Sequence, residues 1–241
     1  MTFSQHDTSR SRSVPGMLRP IERQRGTVIV GAVLLLAVVV FGAALAKTRA
    51  ITALDLGVDA ALSRIHVAPV TDVALVIYKL FSPPFAIALT VVVALIIWVA
   101  SRNWRSALTF SVVVAVSWVS SDVVKLIVGR PRPSAAALAH PYLPTPPDPS
   151  FPSGHVVFAA SIAIAFMFLA RHTAGLALVV VLGMLASLLT GFAVVYLGVH
   201  YPTDVIASLM WAGGACPLVL ALWNRFVIPR IERPSLATIN R

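Results

Sequence analysis

Apolar residues dominate six stretches of this chain, and the polar positions between them are few and clustered. Residues 27–46 run for 20 positions without a charge, enough as a helix to cross the ~30 Å core of a bilayer. The run ends in Ala44-Leu45-Ala46, the small-x-small form of a cleavage site. It exceeds the ~7–15 residues of a signal core, so it reads as an uncleaved anchor. In residues 47–71, Ile51, Leu54, Val58, Leu62 and Ile65 recur at steps of three and four. That spacing predicts a helix with one apolar face, lying at the membrane interface. Residues 73–100 are apolar but broken by Lys79 and Pro83-Pro84; a second span is predicted from about Phe85, with the prolines ending what precedes it.

A third span is predicted over 107–128, with Asp122 and Lys125 in its last turns. Residues 130–152 differ in character: eight of these 23 are proline, which favours stiff, extended backbone. Residues 156–170 are a short fourth span that crosses only if its helix starts at Ser153. Residues 176–199 and 203–223 are the fifth and sixth, joined by His200-Tyr201-Pro202. The pattern predicts an all-α, polytopic membrane domain over 27–226, with six transmembrane helices and one interfacial helix after the first. Basic tails flank it at 1–26 and 227–241.

Composition agrees with that reading. Of 241 residues, 58% are hydrophobic and 12% charged, about half the usual ~25%; the mean hydropathy is +0.88. Disordered chains, coiled coils and ordinary soluble domains are excluded. The net charge of +10 would suggest nucleic acid in a soluble protein. Here the basic residues sit between apolar runs, so no nucleic-acid partner is expected and the charge sets orientation. Twelve of the 19 Lys and Arg lie in residues 1–26 and 224–241 and in the loops at 102–105 and 171, which places both termini in the cytoplasm of a cell membrane. Arg outnumbers Lys 16 to 3, a bias of GC-rich bacterial genes. The single Cys216 cannot form an internal disulfide, and its apolar setting suggests packing.

With that topology, polar residues converge on the outer face. Lys125, Arg130 and Arg132 end the third span, Ser153, Gly154 and His155 open the fourth, and His200 and Asp204 flank the last turn. Ionisable residues at membrane depth are costly, so they are functional candidates. The set suits an anion. Lys125 is a point charge and Arg132 a planar fork for phosphate oxygens. A helix starting at Ser153-Gly154 aims free N–H groups and its dipole at the same place, and Gly154 allows close approach. His200 and Asp204, four apart, make the pair in which a carboxylate orients a nucleophilic imidazole. His155 is placed to give a proton to a leaving oxygen.

Plainer readings exist for each residue. Lys125 alone would be a snorkelling lysine, and Arg130 serves equally as a contact to lipid headgroups. Ser153 can act as a helix cap and Asp204 as a first-turn acid while also serving the site. Asp122, three residues before Lys125, predicts a structural ion pair. His140, Tyr142 and Asp148 lie in the proline-rich loop with little to mark them, and Trp98, Trp104 and Trp118 read as interface or packing aromatics. A transporter would carry its polar site near the midplane, unlike this cluster at one face.

Lys125-x6-Arg132-Pro133, Pro152-Ser153-Gly154-His155 and His200-x3-Asp204, in this order, resemble the three signature motifs of the type 2 phosphatidic acid phosphatase superfamily, also called lipid phosphate phosphatases. The likeness covers about residues 80–225 and includes Gly129-Arg130-Pro131-Arg132-Pro133 and the stretch from Tyr196 to Asp204. The resemblance implies a phosphohydrolase without metal or cofactor that acts on lipid phosphates or pyrophosphates. His200 would be the nucleophile, with Asp204 as its partner, and His155 the acid. Lys125, Arg132, Ser153 and Gly154 would hold the phosphoryl oxygens. In this family the third motif usually opens with Ser-Arg, six residues before its His; here Ala193-Val194 stand there. Losing one such donor costs on the order of 10²–10³ in rate. Arg130 is the nearest candidate replacement. A polyprenyl pyrophosphate or a phosphatidate-like lipid is the expected substrate. The alternatives are a lipid phosphotransferase on the same site, or a catalytically weakened lipid-phosphate binder.

Overall fold

The structure, a computed structural model, describes residues 24–170 and 173–232. Nearly all of the N-terminal tail, the end of the C-terminal tail, Arg171 and His172 lie outside the described residues. Regular structure among the described residues is helical: α1 (Gln24–Lys47), α2 (Arg49–Arg64), α3 (Ala68–Leu80), α4 (Pro83–Ser101), α5 (Trp104–Val128), α6 (Gly154–Ala170), α7 (Leu176–Tyr196), α8 (Pro202–Phe226) and α9 (Ile228–Glu232). Five of them, α1, α4, α5, α7 and α8, are long and apolar enough to cross a membrane; α6, at 17 residues, is apolar but shorter.

The bundle is held by close approach as much as by bulk. α1 packs along α8, where Gly31 faces Gly214; a Cβ on Gly31 would lie 2.9 Å from the Gly214 carbonyl oxygen. Small residues that let backbones meet are the usual basis of helix association in lipid. α6 sits centrally, against α5, α7 and α8, and its first two turns are almost wholly buried. The outer faces of α1, α4 and α7 show Ile29, Leu36, Ile87, Ile96, Leu178 and Leu185. An apolar surface of that extent belongs in a bilayer.

Residues 47–71 depart from expectation. They form α2 and the start of α3, with a break at Ile65–Val67 and Pro69 in the first turn of α3. The apolar stripe of α2 faces outward and its acidic side faces the bundle. Leu54 is 74% exposed, whereas Asp55, Asp59 and Ser63 are buried. The reason lies elsewhere in the chain: Arg130 and Thr203 hydrogen bond Asp55, and the His140 N–H donates to Ser63 Oγ at 2.8 Å. Pro83 and Pro84 occupy the first turn of α4, where their missing N–H groups cost nothing.

The C-terminal ends of α5 and α7 and the N-terminal ends of α6 and α8 meet at one end of the bundle. Residues 130–152, α2 and α3 lie over it. Two left-handed glycines turn the chain there. Gly129, at φ +61°, caps α5, and Gly198, at φ +67°, shapes the approach to His200.

Candidate active site

α5 delivers Lys125 to this end, buried but for its tip. Its ammonium bonds the Asp148 carboxylate of the proline-rich loop, while the anticipated partner, Asp122, stands off at 4.0 Å. Arg132 grips the same residue. Its Nη2 donates to Asp148 Oδ1 at 2.8 Å and its Nε to the Asp148 carbonyl oxygen at 2.9 Å. Its Nη1 donates to the Val199 carbonyl oxygen at 2.6 Å and to His200 Nε2 at 3.1 Å. One carboxylate thus bridges the two cations that the sequence assigns to phosphate. Burial alone would raise Asp148, but Lys125 and Arg132 draw it down to about 2.

The Arg132 contact assigns the state of His200. A guanidinium only donates, so Nε2 must accept, and the proton of the neutral ring sits on Nδ1. Nδ1 faces Asp204 Oδ2 at 3.5 Å. Burial, then the charges of Arg132 and Lys125, hold His200 well below the usual imidazole range, with Asp148 and the Ser150 backbone opposing them. The ring is therefore neutral at physiological pH, with its Nε2 lone pair beside the cations.

α8 fixes Asp204 from its first turn. Oδ2 accepts the Tyr201 N–H at 3.0 Å in a capping arrangement, and Oδ1 accepts Arg130 Nη1 at 2.6 Å. Arg130 is turned to this task. It is 1% exposed, donates also to Thr203 Oγ1 and to Asp55 Oδ2, each at 2.7 Å, and lies 4.1 Å from the Tyr201 ring centroid. Arg130, the nearest candidate replacement for the absent third-motif arginine, has its two terminal nitrogens engaged by two carboxylates and a hydroxyl behind His200. Val194, at the position of that arginine, is fully buried in an apolar cluster with Val156 and Val199.

The α6 end supplies the remaining parts. The Ser153 N–H donates to Ser208 Oγ at 2.8 Å, which ties α6 to α8. The Ser153 hydroxyl is fully buried and has no partner among the described residues. A Cβ on Gly154 would sit 3.5 Å from Trp118 Nε1 and 3.9 Å from Lys125 Nζ, so the bare backbone faces the cations. The His155 ring stacks on Tyr78, with centroids 4.3 Å apart, and its Nε2 is buried and unpartnered. A cavity of about 290 Å³ joins these groups; Tyr78, Phe81 and Trp118 form its apolar side, and Lys125, Arg132, Gly154 and His155 its polar side.

Lys125, Arg132, Ser153, Gly154, His155 and His200 thus converge, Asp204 stands behind His200, and Arg130 stands behind Asp204. Sequence reasoning missed Asp55 and Asp59, which lie on the polar side of a helix read only for its apolar face, and Asp148, whose loop carries no periodic signal. Trp118, read as packing, does pack on Phe158 and also lines the cavity.

The chain is 33% identical over 134 residues to an undecaprenyl-diphosphatase of Bacillus subtilis, covering 55% of this chain and 66% of that protein, just under two thirds of its length. It is 29% identical over 172 residues to phosphatidylglycerophosphatase B of Bacillus subtilis, covering 69% of this chain and 81% of that one. A solved structure of a transmembrane PAP2-type phosphatidylglycerolphosphate phosphatase from Bacillus subtilis superposes with a TM-score of 0.66 at 25% identity, covering 84% of this chain and 98% of that one. Residues 106–228, about half of the chain and all three motifs, match the profile of the PAP2 superfamily, and the chain belongs to that superfamily.

Proposed function

We propose that this protein hydrolyses a lipid phosphate or diphosphate in two steps through a phosphohistidine at His200, without a metal. The observation that carries the reading is the Arg132–His200 contact, which presents an unprotonated Nε2 beside Arg132, a guanidinium joined to Lys125 through Asp148. In the first step Nε2 forms a bond to phosphorus as the bond from phosphorus to the leaving oxygen breaks, and His155 gives that oxygen its proton. In the second, water attacks phosphorus, His155 takes the proton, the N–P bond breaks and phosphate leaves. Lys125, Arg132, the Ser153 hydroxyl and the Gly154 N–H hold the three non-bridging oxygens of the transferred phosphoryl group.

The relatives named undecaprenyl-diphosphatase and phosphatidylglycerophosphatase support a lipid substrate, with a polyprenyl diphosphate favoured. The cavity supports it too, since an apolar side beside a cationic floor suits a headgroup that enters from between helices. Taking α1, α4, α5, α6, α7 and α8 as spans puts every site-bearing helix end on one face. The basic loops lie on the other, so that face is extracytoplasmic. Val194 supports a second reading, a lipid-phosphate binder without turnover.

Phosphate release by purified protein in detergent with EDTA, against a polyprenyl diphosphate, phosphatidate and phosphatidylglycerol phosphate, tests both. Metal-independent release that falls by about 10⁴-fold or more in His200→Ala is the expected result. Binding of a lipid phosphate with no release from wild type would favour the second reading instead.

A further inference from the structure

We propose that Asp148 sets the headgroup specificity of the cradle: its carboxylate excludes singly charged phosphodiesters and yields only to a more highly charged phosphate or diphosphate. The inference rests on the hydrolase reading above and extends it to the choice of substrate.

The argument begins with an exchange. Lys125 and Arg132 both bind Asp148, through its two carboxylate oxygens, and Arg132 Nε holds its backbone carbonyl besides. Any phosphoryl group reaching these cations must first displace that carboxylate. A membrane surrounds the site with phosphodiester headgroups, each carrying one negative charge, in large excess over any phosphate monoester or diphosphate. Trading a carboxylate of charge −1 for a diester of charge −1 gains no charge attraction. It also sets a separate molecule against a group tethered in the same chain, whose effective concentration is high. A terminal phosphate carries about −1.5 to −2 at neutral pH, and a diphosphate more. Its extra charge meets two cations in a partly buried site, where attraction is weakly screened. The carboxylate therefore works as a competitor matched to the wrong ligand and outbid by the right one. Specificity by an added obstacle, rather than an added contact, is a general device.

The position of Asp148 suits this exchange. Its side chain is 44% exposed, so it can leave without opening the core. Pro147 and Pro149 flank it and restrict the backbone, so the carboxylate has few alternative positions when the cradle is empty of phosphate.

Asp148→Asn removes the charge, keeps the shape and leaves the backbone bond to Arg132. The experiment measures inhibition of polyprenyl diphosphate hydrolysis by dimethyl phosphate and by inorganic pyrophosphate, on the full chain in detergent. Wild type is expected to be inhibited weakly, but measurably, by dimethyl phosphate and strongly by pyrophosphate. In Asp148→Asn the inhibition constant of dimethyl phosphate should fall about 10-fold, the equivalent of about 1.4 kcal/mol, with a much smaller change for pyrophosphate. Phosphatidylglycerol in mixed micelles should inhibit the variant more than phosphatidylcholine does, whereas wild type should not distinguish them. Asp148→Glu, which restores the charge, should restore discrimination. An unchanged ratio of the two inhibition constants in Asp148→Asn would overturn the proposal, including the case where turnover falls, since that marks a structural role alone. If wild type released no phosphate, the hydrolase reading would fail by itself, and the same ratio, read as direct binding by phosphorus NMR, would still decide the role of Asp148.

Discussion

Two arginines separated by one proline do opposite work. Arg130 is sealed behind His200, with its amines on Asp55, Thr203 and Asp204 and its plane against Tyr201. Arg132 stands in front, touching His200 Nε2 and a carboxylate that is half exposed. The difference between them is exchangeability. Every partner of Arg130 lies on a packed helix or its cap, so the pair of carboxylates it neutralises cannot be left without it. One partner of Arg132 lies on a loop and can be replaced by a ligand. Two neighbouring residues of identical chemistry are thus divided into frame and cradle by what surrounds them.

The comparison is broken most forcefully by removing each guanidinium in turn. Arg130→Gln leaves Asp55 and Asp204 buried without a counter-charge, which costs about 3–5 kcal/mol. Thermal unfolding in detergent should show a large drop, and activity should fall with the folded fraction. Arg132→Gln should leave the unfolding temperature nearly unchanged while turnover falls by about 10²–10³-fold. If Arg132→Gln were the less stable of the two, the division into frame and cradle would be wrong.

The pH profile sharpens the same contrast. Protonation of His200 Nε2 removes the nucleophile, so kcat/KM falls as pH drops through the His200 pKa. Because burial and the charges of Arg132 and Lys125 hold that pKa down, the acid limb in wild type should lie below the free-imidazole value of about 6.5. Arg132→Gln should move the limb upward, whereas Asp148→Asn, which removes an opposing charge, should move it further down. Ionisation of the substrate is common to all three proteins and cancels in the comparison.

The smallest effect belongs to the frame. Burial, then Asp55 and Asp204, push Asp59 up to about 8. Between about pH 4 and pH 8 the folded chain therefore holds a proton that the unfolded chain has lost, and stability declines as pH rises through that window. Asp59→Asn should flatten the decline in unfolding temperature between pH 5 and 8.5 and should leave turnover at neutral pH close to wild type.

Much of the site was legible because its residues stand at helix ends. Lys125, His155, His200 and Asp204 each lie within a turn of the point where an apolar run stops, so run lengths alone carried them to one face. The proline-rich composition of 130–152 likewise marked a stretch that forms no long helix. The polarity of α2 was not legible. Periodicity shows that a helix has two unlike faces, but when lipid lies outside it does not show which face turns in. That choice was made by Arg130 and Thr203, 75 and 148 residues away from Asp55. Asp148 was hidden for a similar reason: nothing local to a proline-rich loop states that two cations, 23 and 16 residues upstream, will close on it.

The buried acidic face of α2 also bears on how the chain is made. Asp55 leaves the ribosome 75 residues ahead of the arginine that neutralises it. At ~5–20 residues per second, the interval is roughly 4–15 seconds. During that time the acidic side of α2 lacks the counter-charge that it has in the folded chain. Only when α5 is inserted and Arg130 follows does that acidic side acquire a counter-charge and become an interior. The acidic side of α2 can therefore become an interior only once the chain from Arg130 to Thr203 has been made.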